Sequence, residues 1–222
     1  WRARPMTLAI FDLDNTLIGG DSDNLWGQFV CDRGLVDAED FAARNDQFYR
    51  DYQAGTLDID AYLRFALSPL VGQPREVIDG WHRDFMATVI EPILLPAAAQ
   101  LIDRHRREGH HLLIITATNE FITRPIALRL GITDLIACEG EIVDGRYTGE
   151  PRGVPSYAYG KVTRLQGWLA EHNKSIDGAW FYSDSHNDLP LLERVTHPVA
   201  VDPDDKLRAQ AEQRGWKIMS LR

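Results

Sequence analysis

Leu8-Ala9-Ile10-Phe11-Asp12-Leu13-Asp14-Asn15-Thr16-Leu17 is an apolar run of strand length that ends in two carboxylates one residue apart. In an extended chain both carboxylates point to the same side. Like charges held that close repel, so a positive partner has to sit beside them, a divalent metal above all. Asp at the carboxyl end of an apolar strand suits a hard cation with oxygen ligands, and it equally suits a carboxylate nucleophile. The same residues also read as a strand followed by an Asx-type turn capped by Asp14 and Asn15. By itself the stretch leaves both readings open.

The surrounding chain limits what such a site can serve. With 222 residues it can bury a sizeable core, as one large domain or as a core with a smaller second one. A composition of 44% hydrophobic and 26% charged residues is that of a folded protein rather than a disordered one. Lys and Arg number 24 against 33 Asp and Glu, a formal charge of −9, which makes nucleic acid and anionic membrane surfaces poor partners. Positive charge concentrates only at Arg104-His105-Arg106-Arg107, expected on the solvated face of a helix. Cys31 and Cys138 lie far apart with apolar flanks and no metal-ligand spacing, and are expected to be reduced core thiols of a cytoplasmic protein. No apolar run is long enough to span a membrane, and Trp1-Arg2-Ala3-Arg4-Pro5 is too short and too polar for a secretory signal.

After Thr16 the pattern breaks at Gly19-Gly20, and only helical signals follow until Pro92 and Pro96. Asp21 to Asp23 offers caps for a helix carrying Leu25, Trp26, Phe29 and Val30 that ends near Gly34. A second helix places Phe41, Phe48, Tyr49 and Tyr52 on one side and stops at Gly55. Asp58 caps a third through Tyr62, Leu63 and Ala66, and Pro74 opens a fourth through Val77, Ile78, Trp81, Phe85 and Val89. From Pro96 helix and strand alternate, the pattern of an α/β fold with a parallel sheet. Helices are expected over 97–107, 118–130 with an interruption at Pro125, and 161–171. Strands are expected over 111–115, 135–138, 179–182, 199–201 and 216–219, with an Asp144-Gly145 hairpin over 141–148.

Ligands of open parallel sheets bind beyond the carboxyl ends of the strands. Those ends hold Asp12 and Asp14, then Thr116, then Asp184 with Asn187 and Asp188, while Lys161 opens an intervening helix. Carboxylates for a metal, a hydroxyl and an ammonium for an anion, and a carboxylate nucleophile are together what phosphoryl transfer needs, because positioning and charge stabilisation dominate that chemistry.

The four pieces Asp12-Leu13-Asp14-Asn15-Thr16, Ile115-Thr116, Lys161 and Ser183-Asp184-Ser185-His186-Asn187-Asp188 resemble, in order, the four motifs of the haloacid dehalogenase superfamily. The helical insert between the first two resembles the phosphoserine-phosphatase-like branch with a helical cap (subfamily IB, C1 cap), which also contains histidinol-phosphate phosphatases. The resemblance covers the chain after Met6. It implies a Rossmann-like α/β core from residues 6–18 and 97–222, a cap over 19–96, and a Mg²⁺-dependent phosphatase of a small phosphorylated metabolite. It further implies that Asp12 is the nucleophile and that Asp14 protonates the leaving alcohol and then activates water. Thr116, the backbone N–H of Ala117, and Lys161 would hold the phosphoryl oxygens. Mg²⁺ would be held by carboxylate oxygens of Asp12 and Asp184 and by the backbone carbonyl of Asp14. Asp188, supported by Asn187, would orient Lys161 or a metal-bound water.

Blander readings stand beside these: Thr116 and Asn119 as helix caps, Lys161 as a surface lysine, Asp188 as an N-cap, His186 as a loop residue without a proton-transfer role. A phosphotransferase would use the same aspartyl phosphate. A signalling module that merely carries a phosphoaspartate would need neither the insert nor the acid/base group Asp14. For the substrate, Asp21 stands nine residues after Asp12, where phosphoserine phosphatases carry a Glu that grips an ammonium, although Asp21 equally reads as a helix cap. Helical spacing does not assign Arg44, Arg50 or Arg64 to a substrate carboxylate, and Trp26, Tyr49 and Tyr52 suit a flat ring. The expected substrate is therefore an amino-alcohol phosphate such as histidinol phosphate, in preference to phosphoserine.

Overall fold

The computed structural model describes residues 6–222, so Trp1 to Pro5, read above as too polar for a signal, lie outside it. Among the described residues, seven strands form one sheet: β1 (Leu8–Phe11), β2 (His111–Asn119), β3 (Asp134–Val143), β4 (Arg146–Arg152), β5 (Trp180–Ser183), β6 (His197–Val201) and β7 (Lys217–Met219). Their spatial order is β4-β3-β2-β1-β5-β6-β7, parallel except for the β3–β4 hairpin. The chain thus winds outward from β1 through β2 and β3, then returns to the other side of β1 through β5. That reversal opens a crevice at the carboxyl end of β1, where Asp12 and Asp14 stand.

Strand periodicity explains why the sheet is buried on both faces. Ala9 and Phe11 of β1 join one core with Ile114 and Tyr182, whereas Leu8 and Ile10 join the other with Leu113, Ile115 and Phe181. The first face is covered by α5 (Pro96–Arg107), through Ala98, Leu101 and Ile102, and by α6 (Glu120–Arg129), through Ile122 and Ile126. The second is covered by α7 (Tyr159–Glu171), α8 (Leu189–Leu192) and α9 (Asp205–Arg214), through Val162, Leu165, Leu191, Leu192, Leu207 and Ala211. A fully buried Phe11 or Ile10 contributes about 2 kcal/mol each by leaving water.

Four helices arise between β1 and α5: α1 (Ser22–Asp32), α2 (Ala38–Ala54), α3 (Ile59–Leu67) and α4 (Arg75–Phe85). Asp21 and Asp58 cap α1 and α3 by accepting from the backbone N–H of Asn24 and Ala61, and Gly55 ends α2 in the left-handed conformation. The two crossings into this segment meet, since Gly19 N donates to the Ile93 carbonyl at 2.8 Å and Ile18 bridges Leu94. Inside, Trp26 stacks on Phe29 and meets Phe85 and the α6 residue Phe121 edge-on, while Phe41, Phe48, Tyr62 and Phe65 form a second aromatic cluster. Trp26, expected as a candidate ring-stacking residue, is only 1% exposed and belongs to the core.

Several sequence expectations need correction. β2 runs on to Asn119, so the following helix starts at Glu120 rather than Thr118, and Asn119 caps it through Ile122 N–H. Pro125 lies inside an unbroken α6, and the strand over 135–138 continues into the hairpin as one strand, β3. The turn itself is as read, with Asp144 and Gly145 both at positive φ. Cys31 is only partly buried, unlike Cys138. His105, expected among solvated basic residues, is buried against the Tyr182 hydroxyl at 2.7 Å. Burial, then the nearby His110 and Arg104, push its imidazole down to about 4, so it is neutral. Among the described residues no helix is long and apolar enough to cross a membrane.

Candidate active site

Directly after β1 the chain turns sharply. Asp12 N–H still bonds the Tyr182 carbonyl of β5, but Asn15 adopts a left-handed φ of 55° and its N–H bonds the Gly20 carbonyl. Asn tolerates that conformation because its short polar side chain compensates locally. The turn leaves Asp12 buried at the base of the crevice and Asp14 at its wall.

Asp12 Oδ1 accepts from Lys161 Nζ at 2.8 Å, and the same ammonium donates to Asp188 at 2.9 Å. Asp188 also accepts from the Ser183 hydroxyl at 2.7 Å. Burial by itself would lower the Lys161 ammonium, yet the charges of Asp12 and Asp188 outweigh it and hold Lys161 above its ordinary value, fully protonated. Burial lifts the Asp12 carboxyl to about 7 against the pull of Lys161. Asp188 does not cap a helix through its side chain, as one reading had it, because that carboxylate is committed to Lys161 and Ser183.

The second oxygen of Asp12 faces Asp184. Thr16 Oγ1 lies 3.3 Å from Asp12 Oδ2 and 3.2 Å from Asp184 Oδ1. One hydroxyl proton cannot serve both carboxylates. Burial first, then Asp12 and Asp188, raise the Asp184 carboxyl well above its ordinary value. Two converging carboxylate oxygens short of a proton are a donor set that fits a hard cation such as Mg²⁺, with the Asp14 main chain adjacent in sequence.

Asp14 itself is turned toward the helical segment. Its Oδ1 accepts from Ser22 N–H and its Oδ2 from the Thr118 hydroxyl, both at 2.7 Å. Burial raises this carboxyl, partly offset by those bonds, which favours a group that can carry a proton. Thr116 does not cap α6; it is buried, its hydroxyl accepts from Thr118 N–H, and with Ala117 it lines the cavity. Thr118 escaped sequence reading because the helix was expected to begin there. Its position two residues after Thr116 on an extended strand was the available signal.

The cavity above Asp12 and Asp14 is closed by α2 and α3 side chains, including Phe48, Tyr49, Tyr52 and Tyr62, together with Asp21 and Asp23. Asp21 both caps α1 and lines the cavity, so the two readings are compatible. Asn187 donates to the Tyr52 carbonyl at 2.9 Å, tying its loop to α2. His186 is held by Asp204 at 2.8 Å. The three arginines left unassigned do not line the cavity: Arg44 lies over Phe65, Arg50 donates to Gln47, and Arg64 pairs with Glu150.

Gly160 sets the position of Lys161. A Cβ there would stand 2.0 Å from the Pro155 carbonyl oxygen, a backbone atom. Gly160→Ala must therefore displace the start of α7, and we expect a loss of about 1–3 kcal/mol. In thermal unfolding that is a fall in Tm of roughly 2–10 °C, accompanied by a drop in kcat. An unchanged Tm and kcat would show that the loop yields freely.

With this geometry in place, comparison with known proteins becomes specific. The model of the haloacid dehalogenase-like hydrolase family matches residues 9–193. The chain belongs to that family. A histidinol-phosphatase of Neisseria meningitidis serogroup C is 48% identical over 219 residues, which cover 97% of this chain and 99% of the relative. A phosphoserine phosphatase of Mycobacterium tuberculosis is 30% identical over 217 residues, covering 96% of this chain and 70% of the relative. A Bordetella pertussis protein of unknown function superposes with a TM-score of 0.92 at 40% identity, covering 99% of this chain and all of that one. Solved phosphoserine phosphatase structures share the fold, with a TM-score of 0.72 at 16% identity in one complex that mimics a phospho-aspartyl intermediate. Within the haloacid dehalogenase-like family, then, this chain is a phosphatase.

Proposed function

We propose that the chain is a Mg²⁺-dependent phosphomonoesterase that works through an aspartyl phosphate on Asp12 and acts on an amino-alcohol phosphate such as histidinol phosphate. The observation that carries this reading is the pairing of a buried Asp12 carboxylate with Lys161 on one oxygen and its approach to Asp184 on the other. The substrate rests on Asp21 in the cavity wall and on the name of the 48% identical relative.

In this mechanism an Asp12 carboxylate oxygen attacks phosphorus, and the bond from phosphorus to the alcohol oxygen breaks. Asp14, whose carboxyl burial raises above its ordinary value, gives a proton to that leaving oxygen. Water then attacks the aspartyl phosphate, Asp14 takes its proton, and orthophosphate leaves with Asp12 restored. Lys161, Thr116 and the Ala117 N–H hold the phosphoryl oxygens, and Asp188 keeps Lys161 in place. Asp12, Asp184 and the Asp14 carbonyl would hold Mg²⁺, which supplies charge neutralisation so that an anionic nucleophile can approach a phosphate dianion. Residues 19–96 act as a cap that excludes bulk water and admits only a small leaving group, hinged where Gly19 meets Ile93 on a core of 6–18 and 97–222. The free thiols accord with a reducing compartment, the cytoplasm.

The test is orthophosphate release from histidinol phosphate in Mg²⁺. EDTA is expected to reduce release to background and excess Mg²⁺ to restore it, whereas Ca²⁺ substitutes poorly because its looser, higher coordination spoils in-line geometry. Release that persists in EDTA would overturn the metal assignment.

A further inference from the structure

The cavity that faces the leaving group is acidic, and the nearby cation Lys161 is committed to Asp12 and Asp188. The cavity lining includes Asp14, Asp21 and Asp23 but no Lys, Arg or His among the described residues. Asp21 is partly engaged, since one of its oxygens caps α1 through Asn24 N–H at 2.8 Å. Asp23 is different. It is 6% exposed, and its Oδ2 is buried with no hydrogen-bond partner among the described residues. An unpaired buried carboxylate oxygen is expensive, and a helix-dipole role in the first turn of α1 would be served as well by a solvated carboxylate. Burial pushes the Asp23 carboxyl up to about 7 against the Tyr62 phenol, which approaches it, and Phe48, Tyr49 and Ile59 line the same cavity.

We infer that Asp23 is a specificity-determining residue that accepts an N–H of a flat nitrogen heterocycle on the leaving group, leaving Asp21 for the ammonium. This rests on the phosphatase reading of Asp12 and adds two demands to it: the leaving group presents two separate nitrogen donors, and it carries no carboxylate. A carboxylate in this cavity would meet Asp21 and Asp23 with no uncommitted cation to offset them. An amino alcohol bearing an imidazole satisfies both demands, serine satisfies neither, and histidine fails the second through its carboxylate. Tyr62 flanks the ring site, and Tyr49 supplies an aromatic wall.

The experiment compares histidinol phosphate, O-phosphoethanolamine, O-phosphoserine and phenyl phosphate on the wild type, Asp23→Asn and Tyr62→Phe. The wild type is expected to favour histidinol phosphate over phosphoethanolamine, which has the ammonium but no ring. Asp23→Asn should reduce that kcat/KM ratio about 10- to 100-fold, the worth of one charge-assisted hydrogen bond. The reduction should appear mainly in KM. A purely structural role for Asp23 would lower Tm and all four rates together and leave the ratio alone. Should Asp23→Asn not fold, the wild type still decides: histidinol should inhibit phenyl phosphate hydrolysis competitively, and far better than ethanolamine or histidine. Equal inhibition by histidinol and histidine, or an unchanged ratio in the variant, would overturn the inference. If phenyl phosphate is still hydrolysed in Mg²⁺ in that case, the phosphatase reading stands; if no ester is hydrolysed at all, that reading falls instead.

Discussion

Asp12→Asn is expected to lower kcat by at least about 10³-fold while leaving the fold intact, because it removes the proposed attacking charge and the oxygen proposed to face the metal without changing volume. The amide keeps an oxygen toward Lys161, and the ammonium retains Asp188 at 2.9 Å, so no buried charge is stranded. That separates chemistry from stability. Circular dichroism and thermal unfolding should be close to wild type, and orthophosphate release from any ester should be near background. Near-normal turnover, in a preparation free of host phosphatase, would make the nucleophile assignment wrong.

Lys161→Met should be damaging in both respects. The side chain is 1% exposed and stands between Asp12 and Asp188. Removing its charge leaves two buried carboxylates without their shared cation, a loss of about 3–5 kcal/mol for a broken buried pair. The proposed phosphoryl-binding donor also disappears, a loss of about 10²- to 10³-fold in kcat on the scale of oxyanion-type contacts. Lys161→Arg should not rescue kcat, since a planar fork does not reproduce a point charge shared by two carboxylates. Thermal unfolding and steady-state kinetics check the two effects separately. A Lys161→Met enzyme with wild-type Tm would mean that the carboxylates are neutral in the folded protein, and wild-type kcat would remove Lys161 from the site.

Asp12 to Thr16, the Gly-bounded helices, the Asp144-Gly145 turn and the caps at Asp21 and Asp58 were legible because each is a local pattern. Alternation, helical spacing and capping residues act over a few positions, and the chain carries them in its own order. The run of strands predicted a parallel sheet, and with it the end of the sheet where a site would lie. Other features were not local. β2 continues through Thr118 because it pairs with β3 at Asn119, a tertiary contact that overrides the helical pattern and brings the Thr118 hydroxyl to Asp14. The family resemblance implied that Asp188 would orient Lys161 or a metal-bound water, but only the return of the chain to β5 puts Asp12 and Asp188 around one ammonium.

The helical segment divides the same way. Its residues announced helices and an apolar face, yet whether Trp26 or Tyr49 reaches a ligand depends on how α1, α2 and α3 pack, and that packing buries Trp26 and leaves Tyr49, Tyr52 and Tyr62 at the cavity. The sequence determined which chemistry is available, because residue types and their order along strands and caps are local. The tertiary structure alone decided which groups meet. Asp23, unremarkable in a helix's first turn, becomes a buried carboxyl with one oxygen left without a hydrogen-bond partner among the described residues only when the helical segment packs around the cavity.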